Sequence, residues 1–203
     1  MRKLFIILAT LVSTGSLLSA CTDDSRDPMP DVEYAPVIFP KFTEGKSTFD
    51  YNKITTRPPY PAGFELPEIE FTFDPGDQRD VKLAAVEVWK TFRRTNAGST
   101  DYSQRSKVGT YYSFPATVRI NGDDAIAGTM RLFNGVPTQL IKNAILPRLA
   151  GSSPAPDAFV FTFEYILEDG RRIILTPTTA NQVITGAQIN APFAAVAEIV
   201  RTP

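Results

Sequence analysis

The sequence predicts an all-β fold, an antiparallel β-sandwich of about seven strands with one short helix near 138–146. Three observations carry this. Apolar and polar residues alternate in several short stretches, most cleanly at Phe159, Phe161, Phe163, Tyr165 and Leu167, the period of a half-buried strand. Strand-sized runs are separated by turn signals such as Asp169-Gly170, a strong hairpin pair. Seventeen prolines and fourteen phenylalanines in 203 residues, without alternation of strand-like and helix-like segments, favour many short strands over a parallel sheet covered by helices.

Val37, Phe39 and Phe42, then Phe49 and Tyr51, suggest two short strands interrupted at Pro40. Arg57-Pro58-Pro59-Tyr60-Pro61 lacks the donors a central strand needs and suits a stiff polyproline connector. Glu68 to Phe73 alternates strictly, and Asp74-Pro75-Gly76-Asp77 turns the chain. Val81 to Phe92 is the next strand. Its period slips at Ala84-Ala85, with Val81 and Leu83 in one phase and Val86 and Val88 in the other, which a bulge or bend absorbs.

Arg93 to Lys107 is polar and is expected to be a long exposed hairpin loop. Val108, Thr110, Tyr112, Phe114, Ala116, Val118 and Ile120 alternate through one extended segment with Pro115 in its middle, and Asn121 to Asp124 forms a turn. Between Thr138 and Leu146, Leu140, Ile141, Ala144 and Ile145 share a helical stripe that Thr138 can cap and Pro147 stops. After the Phe159–Leu167 strand, Arg171 to Thr176 returns through Ile173 and Leu175. Phe193 to Val200 fits strand or helix and is read as a strand. The arrangement is immunoglobulin-like, but the Cys–Trp–Cys core of true immunoglobulin domains is missing. Cysteine-free sandwiches of the fibronectin type III kind manage without it, and each buried Phe contributes roughly 1.5–3 kcal/mol.

The amino terminus carries an address. Arg2 and Lys3 precede an apolar run from Leu4 to Leu18, followed by Leu18-Ser19-Ala20-Cys21, the pattern of a secretory signal. It ends on the only cysteine of the chain, a lipobox in which the thiol takes a diacylglycerol. The run is shorter than the roughly 20 apolar residues of a spanning helix and holds Thr10, Ser13, Thr14, Gly15 and Ser16. Residues 1–20 are thus read as a lipoprotein signal, 21–34 as an acidic, proline-bearing tether, and 35–203 as a single sandwich domain with its core in 67–177.

Composition narrows the function. Removing Arg2 and Lys3 takes the formal charge from −1 to −3, and no basic stripe suggests nucleic acid. With Cys21 acylated and no histidine anywhere, Ser-His-Asp and Cys-His nucleophile systems, the usual zinc sites and the commonest general base are all excluded. No cofactor is expected. Chemistry is left to carboxylates, Lys, Tyr and hydroxyls, and a hydrolase running on two carboxylates is the distant alternative.

The lipobox, the acidic start, Val86-Glu87-Val88-Trp89, Ser113-Phe114-Pro115-Ala116-Thr117-Val118 and Leu167-Glu168-Asp169-Gly170-Arg171 occur in this order. Together they resemble the small immunoglobulin-like surface lipoproteins of Bacteroidota, which often accompany starch-utilisation-type glycan uptake systems. The resemblance covers about Ile69 to Leu175 plus the leader. It implies an outer-membrane, cell-surface protein held by lipid on Cys21, with Thr22-Asp23-Asp24-Ser25 similar in character to the family's surface-export signal. It implies no particular ligand. The expected role is non-catalytic: binding a glycan, or an outer-membrane transporter or lipoprotein partner, in a nutrient-uptake assembly. The alternative is a structural envelope lipoprotein with no sugar ligand.

Trp89, Tyr102 and Tyr111 form the candidate ligand site. Trp89 alternates opposite to Val86 and Val88, so it faces outward if those point in; a reversed phase slip would make it the core tryptophan. Tyr102 lies on the polar 93–107 stretch, and Tyr111 is expected to face away from the core side that Tyr112 shares. Asn121, Asp123 and Asp124 lack the spacing of a calcium loop and read as an Asx-type turn. Glu164 and Glu168, with Asp169, read as a solvated strand face rather than a catalytic group.

Overall fold

The computed structural model describes residues 37–76, 81–97, 99–174 and 193–202. The signal, Cys21 and the tether lie outside these residues, as do Asp77, Leu175 and Thr176. The architecture is all-β, with strands β1 (Lys41–Phe42), β2 (Thr48–Asp50), β3 (Glu68–Phe73), β4 (Leu83–Asn96), β5 (Ser99–Tyr102), β6 (Ser106–Tyr111), β7 (Ala116–Asn121), β8 (Met130–Phe133), β9 (Val136–Gln139), β10 (Ala158–Leu167), β11 (Arg172–Ile174) and β12 (Ala195–Val200). Two five-residue helices, α1 (Tyr51–Thr55) and α2 (Gly122–Ile126), join them. Among the described residues no helix is long and apolar enough to cross a membrane.

Two sheets face each other. One has the order β1-β3-β7; the larger runs β2-β12-β10-β4-β5, with β11 beside β10 and β6 beside β4. Pairing is antiparallel except between β2 and β12, which run parallel. The spine is the ten-residue β10 against β4, from Ala158↔Arg93 to Leu167↔Leu83. Because side chains alternate across a strand, Phe159, Phe161, Phe163, Tyr165 and Leu167 turn one way. They meet Phe71 and Phe73 of the smaller sheet, with Phe71–Phe161 at 5.3 Å and Phe73–Phe163 at 5.0 Å between ring centres. These aromatic pairs form the core between the layers.

Several expectations are corrected. The period slip in β4 is a register step: Ile166 pairs with Ala85 and Leu167 with Leu83, leaving Ala84 without a partner on β10. Arg93–Lys107 is no open loop, because β4 continues to Asn96 and pairs with β5 down to Asn96↔Ser99. Backbone pairing satisfies a polar hairpin as well as an apolar one. The segment 108–120 is split, since β6 belongs to the larger sheet and β7 to the smaller, with the turn at 112–115 crossing between layers.

The helix expected over 138–146 is absent. Thr138 pairs with Arg131 inside the β8–β9 hairpin, and only a single 3-10 turn, Lys142–Ala144, follows. A nine-residue stripe is marginal as an isolated helix, whereas the Asn134-Gly135 turn closes a hairpin at once. Both residues hold left-handed backbone, φ 51° and 76°, which this tight turn requires. Tyr51 opens α1 instead of continuing a strand. The Asn121–Asp124 turn starts α2, where the Asn121 side chain accepts from Asp124 N at 2.9 Å in the usual N-cap manner.

Candidate functional site

The face of β4 turned away from the smaller sheet carries Glu87, Trp89 and Arg93, opposite Glu164, Thr162 and Ala158 of β10. Glu87 and Glu164 are direct cross-strand partners and both are buried. Two adjacent buried carboxylates are tolerable only with cations beside them, and three are present. Lys107 Nζ reaches Glu87 Oε1 at 2.6 Å, Arg172 bridges Glu87 and Glu164, and Arg105 pairs with Glu164. Burial alone would raise the Glu87 carboxyl, but Lys107 and Arg172 hold it below the ordinary carboxylate range. A glycosidase needs one of its two carboxyls protonated at working pH. This pair is instead neutralised by guanidinium and ammonium groups, which weighs against the hydrolase alternative.

Arg105 also lies over Trp89, its Cζ 4.5 Å from the ring centre, a cation–π contact. Trp89 is therefore on the outward face but partly buried, with one side of its indole already occupied. Tyr102 sits opposite Arg93 on the same face, four β4 positions from Trp89 and so roughly 13 Å along the strand. Burial raises its hydroxyl pKa, an effect Arg93 partly offsets.

Tyr111 does not join them. It pairs with Val86, on the core-facing side, and packs edge-on against Phe73 at 5.4 Å; burial pushes its pKa up. Tyr112, expected in the core, is 77 % exposed. The cause is an irregularity in the β4–β6 pairing, where Val88 pairs with Gly109 and Trp89 with Lys107, so that Val108 is the extra residue. An inserted residue exchanges the faces of everything beyond it. The structure thus places Trp89 and Tyr102 on one face and Tyr111 on the other.

A different aromatic group is open to solvent. Phe39, 51 % exposed, lies 5.6 Å from Phe193, also exposed. Phe39 rims a cleft of about 370 Å³ with Lys41, Thr72, Phe73 and Asp74. Lys41 and Thr72 are cross-strand partners at the edge of the smaller sheet, and Thr72 Oγ1 lies 3.1 Å from Thr117 Oγ1. An apolar floor with a few polar groups at its rim is the usual composition of a small-ligand site. Sequence reading assigns Phe39 to a short strand interrupted at Pro40 and Phe193 to the last strand. The available signal was Pro40 beside Phe39, which keeps that position out of a ladder. A second concavity, between Thr95, Asn96, Ser99, Thr100 and Ser153, has hydroxyls and an amide but no aromatic ring.

The acidic residues near α2 are engaged within the protein. Asp123 accepts from Tyr60 and pairs with Lys142 Nζ at 2.5 Å, and Lys142 donates to Tyr60 Oη at 2.9 Å and to Thr56 O at 2.6 Å. Among the described residues no group of three or more potential ligands is placed to hold a metal ion. Comparison of the chain with protein-family models gives no match, and comparison with curated proteins gives none either.

Proposed function

We propose that the chain is a non-catalytic accessory lipoprotein of the bacterial cell surface, anchored to the outer membrane through Cys21, that binds a saccharide within a nutrient-uptake assembly. The observation that carries the reading is the solvent-open ring of Phe39, which lies against Phe193 and rims a cleft with Lys41, Thr72 and Asp74. A pyranose ring presents an apolar C–H face to an aromatic ring and hydroxyls to its flanks, and this cleft offers both kinds of contact. Trp89 supports the site only as part of the scaffold, because Arg105 already covers it.

The test is a glycan array and affinity electrophoresis of the mature protein beside its Phe39→Ala, Phe193→Ala and Trp89→Ala variants. The reading expects binding that Phe39→Ala reduces about tenfold, the 1.4 kcal/mol scale of one aromatic contact. Binding untouched by Phe39→Ala but abolished by Trp89→Ala in a folded protein would return the site to the β4 face. Silence across the array, with stoichiometric partners under mild detergent, would favour the sugar-free assembly role.

A further inference from the structure

We infer that the β8–β9 hairpin is a membrane-contacting arm, with Phe133 and Val136 seated at the apolar boundary of a phospholipid surface and Arg131 among its phosphates. Phe133 and Val136 are the pair that closes the hairpin at the Asn134-Gly135 turn. They are 53 % and 61 % exposed, although a turn in water is ordinarily flanked by polar residues. Among the described residues, β8 and β9 pair only with each other. The hairpin packs through β8 against β4 and β5, is about 13 Å long at ~3.3 Å per residue, and carries an apolar tip.

Charge selects the occupant. From Ala125 to Pro156 the chain holds Arg131, Lys142 and Arg148 and no Asp or Glu, within a protein that has 22 acidic residues. Asp123 neutralises Lys142. Among the described residues Arg148 is met only by the carbonyls of Thr95 and Ala155, and Arg131 lies 4.9 Å over the Phe133 ring. Exposed aromatic and aliphatic side chains beside guanidinium groups without carboxylates match a lipid interface, which supplies an acyl boundary and phosphate anions together. Ile141 and Leu149, also exposed, belong to the same acid-free stretch.

The inference rests on the proposed anchor at Cys21. The roughly 15 residues between Cys21 and Val37 allow at most about 50 Å of extended chain, which keeps the domain near the bilayer, where even weak contact is favoured by effective concentration.

The experiment uses the full lipidated protein in phosphatidylethanolamine–phosphatidylglycerol vesicles, with Phe133→Trp as the reporter and the parent protein as the Trp89 background. Brominated lipids are expected to quench most of the added emission, with a blue shift. Tyr112→Trp, another exposed aromatic position, is expected to remain unquenched. Protein that floats with vesicles while Phe133→Trp emits as in water overturns the arm and leaves the anchor standing. Equal quenching at positions 112 and 133 overturns its localisation to the hairpin. A tip shielded only in native envelope fragments assigns it to a protein partner and overturns the lipid contact. A protein that fails to associate with vesicles overturns the anchor and the arm together.

Discussion

Arg94→Leu should cost the protein about 4 kcal/mol at pH 7. Arg94 ends the core-facing row of β4. Its fork reaches Asp157 through Nε at 3.0 Å and Nη2 at 2.6 Å, and Nη2 also donates to Ala144 O at 2.5 Å. Asp157 is fully buried and accepts one further bond, from Leu146 N at 3.0 Å. One guanidinium thus ties β4 to the start of β10 and to the 3-10 turn. Leucine preserves much of the volume but leaves a buried carboxylate with one donor, a loss of roughly 3–5 kcal/mol.

Urea unfolding reads this directly, since a slope of about 2 kcal/mol per M moves the midpoint down by about 2 M at pH 7. Asp157→Asn in the Arg94→Leu background should restore most of the loss. A penalty below about 1 kcal/mol, or no recovery in the double variant, would show that Arg94 does not hold the buried carboxylate.

Two further outcomes follow from the packing. Lys90 points into the core side of β4, donating to the carbonyls of Asp124, Ala125 and Ala127, and burial pushes its pKa down to about 8. Folding thus releases a proton between pH 8 and 10.5, so stability rises as pH climbs through that window. Between pH 7 and 9.5 the gain is about 2 kcal/mol at 1.36 kcal/mol per unit. Urea titrations should find it in the parent and not in Lys90→Met; equal slopes would remove the assignment. Tyr111→Ala should destabilise by about 3 kcal/mol through its lost contact with Phe73, whereas Tyr112→Ala should stay within about 0.5 kcal/mol. Equal thermal shifts for the two would contradict the assigned register.

The fold class and the β10 spine were legible in the residues alone. Phe159 to Leu167 alternate without interruption, and period two admits one interpretation when every second residue is aromatic or aliphatic. Phe193 to Val200 fits strand or helix by sequence, and its pairing with β10 and β2 makes Ala195–Val200 a strand. Tertiary structure decided what depends on partners. Val108 is apolar and in phase, yet it is the residue β6 inserts against β4, and that single insertion turns Tyr111 inward and Tyr112 outward. Thr138 to Leu146 carries a fair helical stripe, but β8 supplies backbone partners that a short isolated helix cannot match. The polar 93–107 stretch forms strands because its hydrogen bonds are backbone bonds, indifferent to side-chain hydropathy. The candidate site lay furthest from reach. Phe39 and Phe193 are 154 positions apart in the chain and acquire meaning only when packing brings their rings together in solvent. Trp89, conspicuous in the sequence, is covered by an Arg105 that becomes its neighbour only once β6 lies against β4. Local periodicity fixes which faces are apolar; only long-range pairing decides which apolar groups stay uncovered.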